Sequence, residues 1–504
     1  MTTLDIRPLH VAPRALAFEW SVDPASGLYR RTSARLQFPE GIDLTRLPPA
    51  LPWAAALLCL HAHAIFLRPC RIRLPVRLPP GWRAFWERLI ALEAYTADAM
   101  RGEEAAGPAT LEDDGPPADL PAPARPPPGP DDRAASAFSG GKDSLLQAAL
   151  LAEFTRRPLL VNVRSPMPPH RDQDTRRRRE VLAEIVRRRD VELCEVESDF
   201  RSCWNNRWPA ELGFGAAVNE VTDTHLYAAA LLLAGAARGA PRLFLASEAE
   251  AQESADWEGR PVFHPHVMYA VVVQRALSRL IEPFGLRLGS LIAALPSERV
   301  QGLLARRHAD LADLAYSCWS ATDERAMCSA CGKCLHVSFG ALGQGLNAEA
   351  FGADWPRLLR FALDWRPKPV DGPERLRPLL ESRRRLNGQC VRAVRTLTTP
   401  GFARLLRRAR PGRWRERSFW AALYVYARLR YRFRRRAVEP SPGWWPEFLA
   451  FADPALREPM GRLYAETGPA DATGRGAENA DRARRASEEV AAALGGGTAR
   501  EGIE

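Results

Sequence analysis

Between residues 133 and 345 short apolar runs alternate with segments of helical spacing, and one junction among them admits few backbone paths. Residues 134–138 predict a strand, the loop Ser139-Gly140-Gly141-Lys142 follows, and residues 143–155 predict a helix. Two consecutive glycines let the backbone turn sharply and approach a ligand closely. The helix start supplies N–H groups without intrahelical partners and the positive end of the helix dipole. Ser139 and Ser144 add hydroxyl donors and Lys142 adds a cation, so the segment predicts a phosphate cradle. The two glycines alone would equally suit an ordinary turn with Asp143 as helix cap. The common mononucleotide pattern is absent, because Ser136 stands where its first glycine belongs and Asp143 follows the lysine.

The alternation continues with a strand at 159–163, a basic helix at 176–188, a strand at 191–196, an Ala/Leu-rich helix at 224–238 and a strand at 243–246. Such a succession predicts an α/β fold with a parallel sheet covered on both faces. Ligands of such sheets bind beyond the carboxyl ends of the strands. Residues 1–112 predict a small N-terminal α+β domain, with strands at 18–22 and 32–38 and helices at 54–66 and 82–100. The turn Asp23-Pro24-Ala25-Ser26-Gly27 joins the two strands. Residues 113–132 are proline-rich and predict a semi-rigid linker. A helical C-terminal region is expected over 346–465, then a disordered tail over 466–504 with one possible helix at 482–494.

The 504 residues carry a formal charge of +11, mostly from arginine. An anionic partner and a genome-wide arginine bias explain that charge equally well. The apolar stretch 51–67 is interrupted by Pro52, His61 and His63 and is expected not to span a bilayer. Residues 1–20 lack a basic start followed by an apolar run, and the expected compartment is the cytoplasm. Of nine cysteines, Cys318, Cys328, Cys331 and Cys334 crowd into seventeen residues. Four thiolates at that spacing predict a tetrahedral structural Zn²⁺, with an iron–sulfur cluster as the rival. Cys59, Cys70, Cys194, Cys203 and Cys390 are scattered and read as buried apolar residues.

The strand, Ser139-Gly140-Gly141-Lys142-Asp143-Ser144 and the helix together resemble the signature of the PP-loop ATP pyrophosphatases. That resemblance implies cleavage of ATP to AMP and pyrophosphate. The pyrophosphate would be held by Ser139, Gly140, Gly141, Asp143 and Ser144, and Mg²⁺ would be placed with help from Asp143. Lys142 stands at a position that varies in the family. Two branches of the superfamily join this loop to a late four-cysteine site. The chain resembles more closely the UDP-N-acetylmuramoyl-L-alanyl-L-glutamate epimerase family, which adenylates the α-carboxylate of a terminal L-Glu and releases D-Glu. The likeness rests on the turn at 23–27, on Val221-Thr-Asp-Thr-His225, and on Cys331-Gly-Lys-Cys334 running into an apolar segment. Ser247-Glu248-Ala249-Glu250 lies where that family has Asn-Glu-Arg-Ser, without the arginine. The other branch, the 7-cyano-7-deazaguanine synthases, converts an adenylated carboxylate to a nitrile.

An adenylated carboxylate loses its charge, so a general base can remove the neighbouring proton. The candidate bases are His225, Glu248, His264, His266 and Tyr269, each of which reads equally as a residue without a catalytic role. The arginines at 176–179 and 187–189 would steer a nucleotide substrate or form a solvated face. Residues 404–436 interleave arginine with Trp414, Phe419, Trp420, Tyr424, Tyr426 and Tyr431. The favoured expectation there is a helical cap, ahead of contact with anionic lipid or with RNA.

Overall fold

The computed structural model describes residues 1–101, 107–117, 133–164, 176–205, 218–263, 267–315, 318, 327–343, 353, 354, 357, 358, 361 and 443–495. Strands β1 (Thr2–Ile6), β2 (His10–Ala12), β3 (Ala15–Asp23) and β4 (Ser33–Gln37) come first. Helix α1 (Ala50–Leu67), β5 (Cys70–Arg73), α2 (Trp82–Arg101) and β6 (Ala109–Glu112) complete the N-terminal part. The second part alternates β7 (Ala134–Ala137), α3 (Lys142–Phe154), β8 (Leu159–Arg164), α4 (Arg176–Arg188), β9 (Glu192–Ser198), α5 (Val218–Ala237) and β10 (Arg242–Phe244). The hairpin β11 (Ser254–Trp257) and β12 (Arg260–Phe263), α6 (Val271–Ile281), β13 (Arg287–Gly289) and α7 (Ser297–Arg307) follow. Helices α8 (Gly332–Gly343), α9 (Pro454–Glu466) and α10 (Arg475–Ala491) come last.

Eleven strands form one mixed sheet in the order β13-β10-β7-β8-β9-β4-β3-β1-β5-β6, with β2 beside β3. The expected parallel arrangement holds for the five strands β13, β10, β7, β8 and β9. The sheet does not stop there. Strand β4 pairs antiparallel with β9, setting Leu36 opposite Ser198 and Gln37 opposite Glu197. An unpaired β9 edge would expose a row of backbone donors and acceptors, and β4 satisfies part of that row. The N-terminal α+β part and the parallel part therefore share one sheet.

Local composition explains the layers. Strand β7 is Ala-Ala-Ser-Ala and buried throughout, as a central strand covered on both faces must be. Helix α5 lies close over β7 and β10, since a Cβ on Gly235 would stand 3.6 Å from Ala135 Cβ and 2.3 Å from the Leu243 side chain. Helix α1 has no polar face, and all eighteen of its residues are buried. It meets the length and hydropathy of a membrane span, yet its place is inside the fold. Each fully buried leucine there contributes about 1.5–3 kcal/mol before the entropy of ordering is subtracted.

Of the arginines at 176–179 and 187–189, Arg177, Arg188 and Arg189 are engaged within the chain, while Arg187 pairs with Glu184 on an exposed face of α4. Arg188 reaches Glu184 and Asp313, and Arg189 holds Asp310 through two hydrogen bonds of 2.7 and 2.9 Å. Arg177 donates to the Asp313 carbonyl at 2.7 Å. They bind α4 to the helical turn Ala309–Ala312 and the residues just after it.

The expected disordered tail needs correction over 466–481, whereas the helix expected at 482–494 overlaps α10. Helix α10 is a described element whose Asn479, Ala480, Ala483, Ala486, Ser487 and Val490 are buried. Ser254 donates its N–H and hydroxyl to Asn479 Oδ1 at 3.0 and 2.7 Å. Small side chains let this helix close on its neighbours, although few of them are large and apolar. Residues 118–132, most of the expected linker, and 404–436 lie outside the described residues.

Candidate functional site

The chain runs from β7 to β8 and β9 on one side, then returns to place β10 and β13 on the other. The loops leaving β7 and β10 therefore diverge from adjacent strands. A crevice at that reversal, beyond the carboxyl ends of the strands, is where open α/β sheets bind ligands. Both loops carry the residues singled out in the sequence.

The first loop is held as a cradle. Gly140 has φ +80°, and a Cβ there would stand 3.3 Å from Val181 Cγ1. The Ser139 and Ser144 hydroxyls lie 3.2 Å apart, and Gly141 N–H points to Ser139 Oγ at 3.4 Å. Gly141 caps α3 without a side-chain bond, so no cap side chain occupies the first turn of the helix. Behind the loop Asn162 donates to the Phe138 carbonyl at 2.6 Å. Gln147 donates to Ser136 Oγ at 2.9 Å and accepts from Leu291 N–H at 3.1 Å, fastening α3 to β7 and to the segment after β13.

Lys142 joins the two loops. Its Nζ contacts Asp143 Oδ1 and lies 2.6 Å from Glu248 Oε2. Burial opposes its charge, but Asp143 and Glu248 hold it above the ordinary lysine range. Burial and the neighbouring Glu248 charge push Asp143 up to about 6 against the opposing pull of Lys142. Burial also works against the ionised form of Glu248, yet Lys142 and hydrogen bonds from Asp143, Lys142 and Ser297 hold it below the usual carboxylate range. Glu250 accepts from Ser297 N–H at 2.9 Å and is raised by burial and then by Glu248. Three carboxyl groups around one ammonium leave a local excess of negative charge, which suits a divalent cation bringing phosphates.

The wall over β8 and β9 escaped the sequence reading except for Arg178, one of the arginines at 176–179. Arg178 donates to the Val163 carbonyl at 3.0 Å and to Tyr227 Oη at 2.8 Å. Arg201 binds Asp223 at 2.8 Å and lies over the Tyr227 ring. Tyr269 is pushed up to about 12, first by burial and then by Tyr227; it bonds Thr224 and lies within electrostatic reach of Asp143. Buried arginines paired with acids and tyrosines on different elements leave no local pattern in a sequence. The signal within reach was Val221-Thr-Asp-Thr-His225, whose Asp223 and Thr224 both join this wall.

The four predicted metal-site cysteines come together, with every pair of Sγ atoms within 4.8 Å. Cys328 N–H donates to Cys318 Sγ at 3.2 Å and Cys334 N–H to Cys331 Sγ at 3.4 Å. Ser329 adopts φ +51° to turn the chain between ligand positions. Four converging sulfurs with N–H donors behind them fit a tetrahedral ion. Lys333, between Cys331 and Cys334, keeps access to solvent. Desolvation by the protein lowers its pKa, while the nearby Asp143 and Glu248 pull the other way. The cysteine lobe thus borders the loop of α3. Among the scattered cysteines, Cys59, Cys70, Cys194 and Cys203 are buried as expected, and Cys390 lies outside the described residues.

The candidate bases divide. Glu248 and Tyr269 lie at the crevice. His225 is fully buried, with Nε2 3.0 Å from Glu93 Oε1, in a cluster with His61. His264 and His266 fall outside the described residues. No family model, curated protein or solved structure matches the chain.

Proposed function

We propose that the chain cleaves ATP to AMP and pyrophosphate at the Ser139–Ser144 loop, and so activates a carboxylate. The observation that carries this reading is the Lys142 contact with Glu248, which joins the loops after β7 and β10 at the reversal of strand order. In this reading the uncapped first turn of α3 and the Ser139 and Ser144 hydroxyls bind the departing pyrophosphate. Asp143 and Glu250 would hold Mg²⁺, which neutralises phosphate charge when bound. The substrate carboxylate oxygen forms a bond to the α-phosphorus while the bond from that phosphorus to the β-phosphate oxygen breaks. The attack needs the carboxylate in line with the leaving group, and the Arg178–Tyr227–Arg201 wall supplies cationic surface for an anionic substrate. The four-cysteine lobe, with structural Zn²⁺, would close the site near Lys333.

The most specific form of the proposal is epimerisation of the terminal L-Glu of UDP-MurNAc-L-Ala-L-Glu, carried out in the cytoplasm. Glu248 is then the favoured base of those placed at the crevice. Movement of Lys142 onto phosphate would release the carboxylate from the ion pair that depresses its basicity. Chain and substrate are incubated with Mg²⁺ and ATP, and nucleotides, pyrophosphate and glutamate chirality are measured. AMP, pyrophosphate and D-Glu in step are expected. Pyrophosphate with unchanged chirality would overturn the epimerase and leave ATP cleavage standing. A nitrile- or amide-forming synthetase is the second reading, favoured by the missing arginine in Ser247-Glu248-Ala249-Glu250. It requires ammonia for turnover. Action on RNA is supported less, because the arginines of α4 are bound to Glu184, Asp310 and Asp313.

A further inference from the structure

Three helices from distant parts of the chain meet at His61 on α1, Glu93 on α2 and His225 on α5, all 0–2% exposed. Glu93 presents one oxygen to each ring. Its Oε2 lies 3.0 Å from His61 Nε2 and its Oε1 lies 3.0 Å from His225 Nε2. The two rings stand 4.6 Å apart, nearly perpendicular. His61 Nδ1 donates to the Leu57 carbonyl at 2.8 Å, one turn back on its own helix. That bond sets the tautomer, and the lone pair of Nε2 then faces a carboxylate oxygen. Two lone pairs at that separation require a cation between them, either an added proton or a metal ion.

We propose that His61, Glu93 and His225 hold one divalent transition-metal ion that clasps α1, α2 and α5. Two imidazole nitrogens and a carboxylate are the donor set of Zn²⁺ and its first-row neighbours rather than of Mg²⁺ or Ca²⁺. The donor atoms all lie within 4.8 Å of one another. Ligands held about 2 Å from one tetrahedral ion lie roughly 3–3.5 Å apart, and each histidine nitrogen lies 3.0 Å from a Glu93 oxygen. A backbone carbonyl behind the far nitrogen is the usual support of a metal-bound histidine. Complete burial makes the site a fastener and not a reaction centre. Its consequence reaches the crevice, because His225 shares its turn of α5 with Asp223 and Thr224, which bind Arg201 and Tyr269.

The test is metal stoichiometry on the full chain, purified without chelator and measured by elemental analysis. Wild type is expected to hold two metal loads, one in each cluster. Glu93→Gln keeps shape and should lose one load, and Cys331→Ser should lose the other. X-ray absorption on the Cys331→Ser protein should show only nitrogen and oxygen ligands. A single load in wild type, ligated by sulfur alone and unchanged by Glu93→Gln, would overturn the proposal in favour of a protonated His61. Should either variant fail to fold, absorption spectra of cobalt-loaded wild type decide. Two cobalt environments are expected, one with sulfur charge-transfer bands and one without, and a sulfur-type environment alone overturns the clasp.

Discussion

Asp143 carries an unfavourable charge in the resting chain, and its chemistry can be read through pH. Burial and Glu248 raise it to about 6 from an ordinary value of 3.8. The folded chain therefore holds that proton more tightly than the unfolded one. The corresponding stabilisation is fully present below about pH 4 and is lost as pH rises through about 6. Binding of Mg²⁺ with ATP needs the ionised form, so affinity is expected to fall as pH drops below about 6. Glu248→Gln removes a neighbouring negative charge and should move that loss to lower pH, measured by titration calorimetry from about pH 4 to 8. An unmoved profile would detach Glu248 from Asp143. Gly140→Ala tests the cradle, since φ +80° strains an L-residue and Val181 Cγ1 stands 3.3 Å from the new Cβ. Chemical denaturation should show a loss of about 1–2 kcal/mol, with weakened ATP binding. Gly140 and Asp143 were legible because strand, loop and helix are contiguous in sequence. His61, Glu93 and His225 were not legible as a group, because only the packing of three helices brings them together.

Elements show where periodicity informs and where it fails. The predicted helix at 176–188 coincides with α4, whose apolar Val181, Leu182 and Ile185 recur on one face. Strands β10 and β13 have three residues each, too few to display a period, and only the first was anticipated. Helix α10 overlaps the helix expected at 482–494 but starts seven residues earlier, at Arg475, and its burial was not anticipated. Its inward face is built of alanine, serine and asparagine, which composition reads as solvent-facing. Besides its buried face and the Arg482–Asp256 pair, one buried amide anchors it by accepting twice from Ser254. Asn479→Ala leaves the Ser254 N–H without that acceptor in a buried place. The expected cost is about 1–3 kcal/mol, read from the denaturant midpoint with the slope unchanged. A midpoint equal to wild type would mean that α10 is not held by this contact.

At the scale of the molecule, the shared sheet makes the two parts interdependent. The proline-rich segment at 113–132 suggested a boundary between separate units. Composition can reveal a connector, but it cannot reveal that β4 on one side pairs with β9 on the other. Helix α1 adds a second bond between the parts, since an element apolar on every face needs cover on every face, and His61 on it meets His225 on α5 through Glu93. Arg35 N–H and the Arg31 guanidinium also bind Asp199, just past β9, at 2.7 Å each. Residues 1–117 and 133–504 produced as two chains in one cell are therefore expected to purify as a one-to-one complex. The first chain alone should aggregate, because it would expose the α1 face that α5 covers. The complex should unfold in one cooperative transition, with fluorescence and circular dichroism coinciding. Fragments that elute separately as folded monomers would show that the sheet is not continuous in solution. Asp199→Ala separates these outcomes further: it removes the acceptor of Arg35 N–H and the partner of Arg31 across the two parts and should weaken the complex. Arg71→Ala, on the distant β5, should leave it intact.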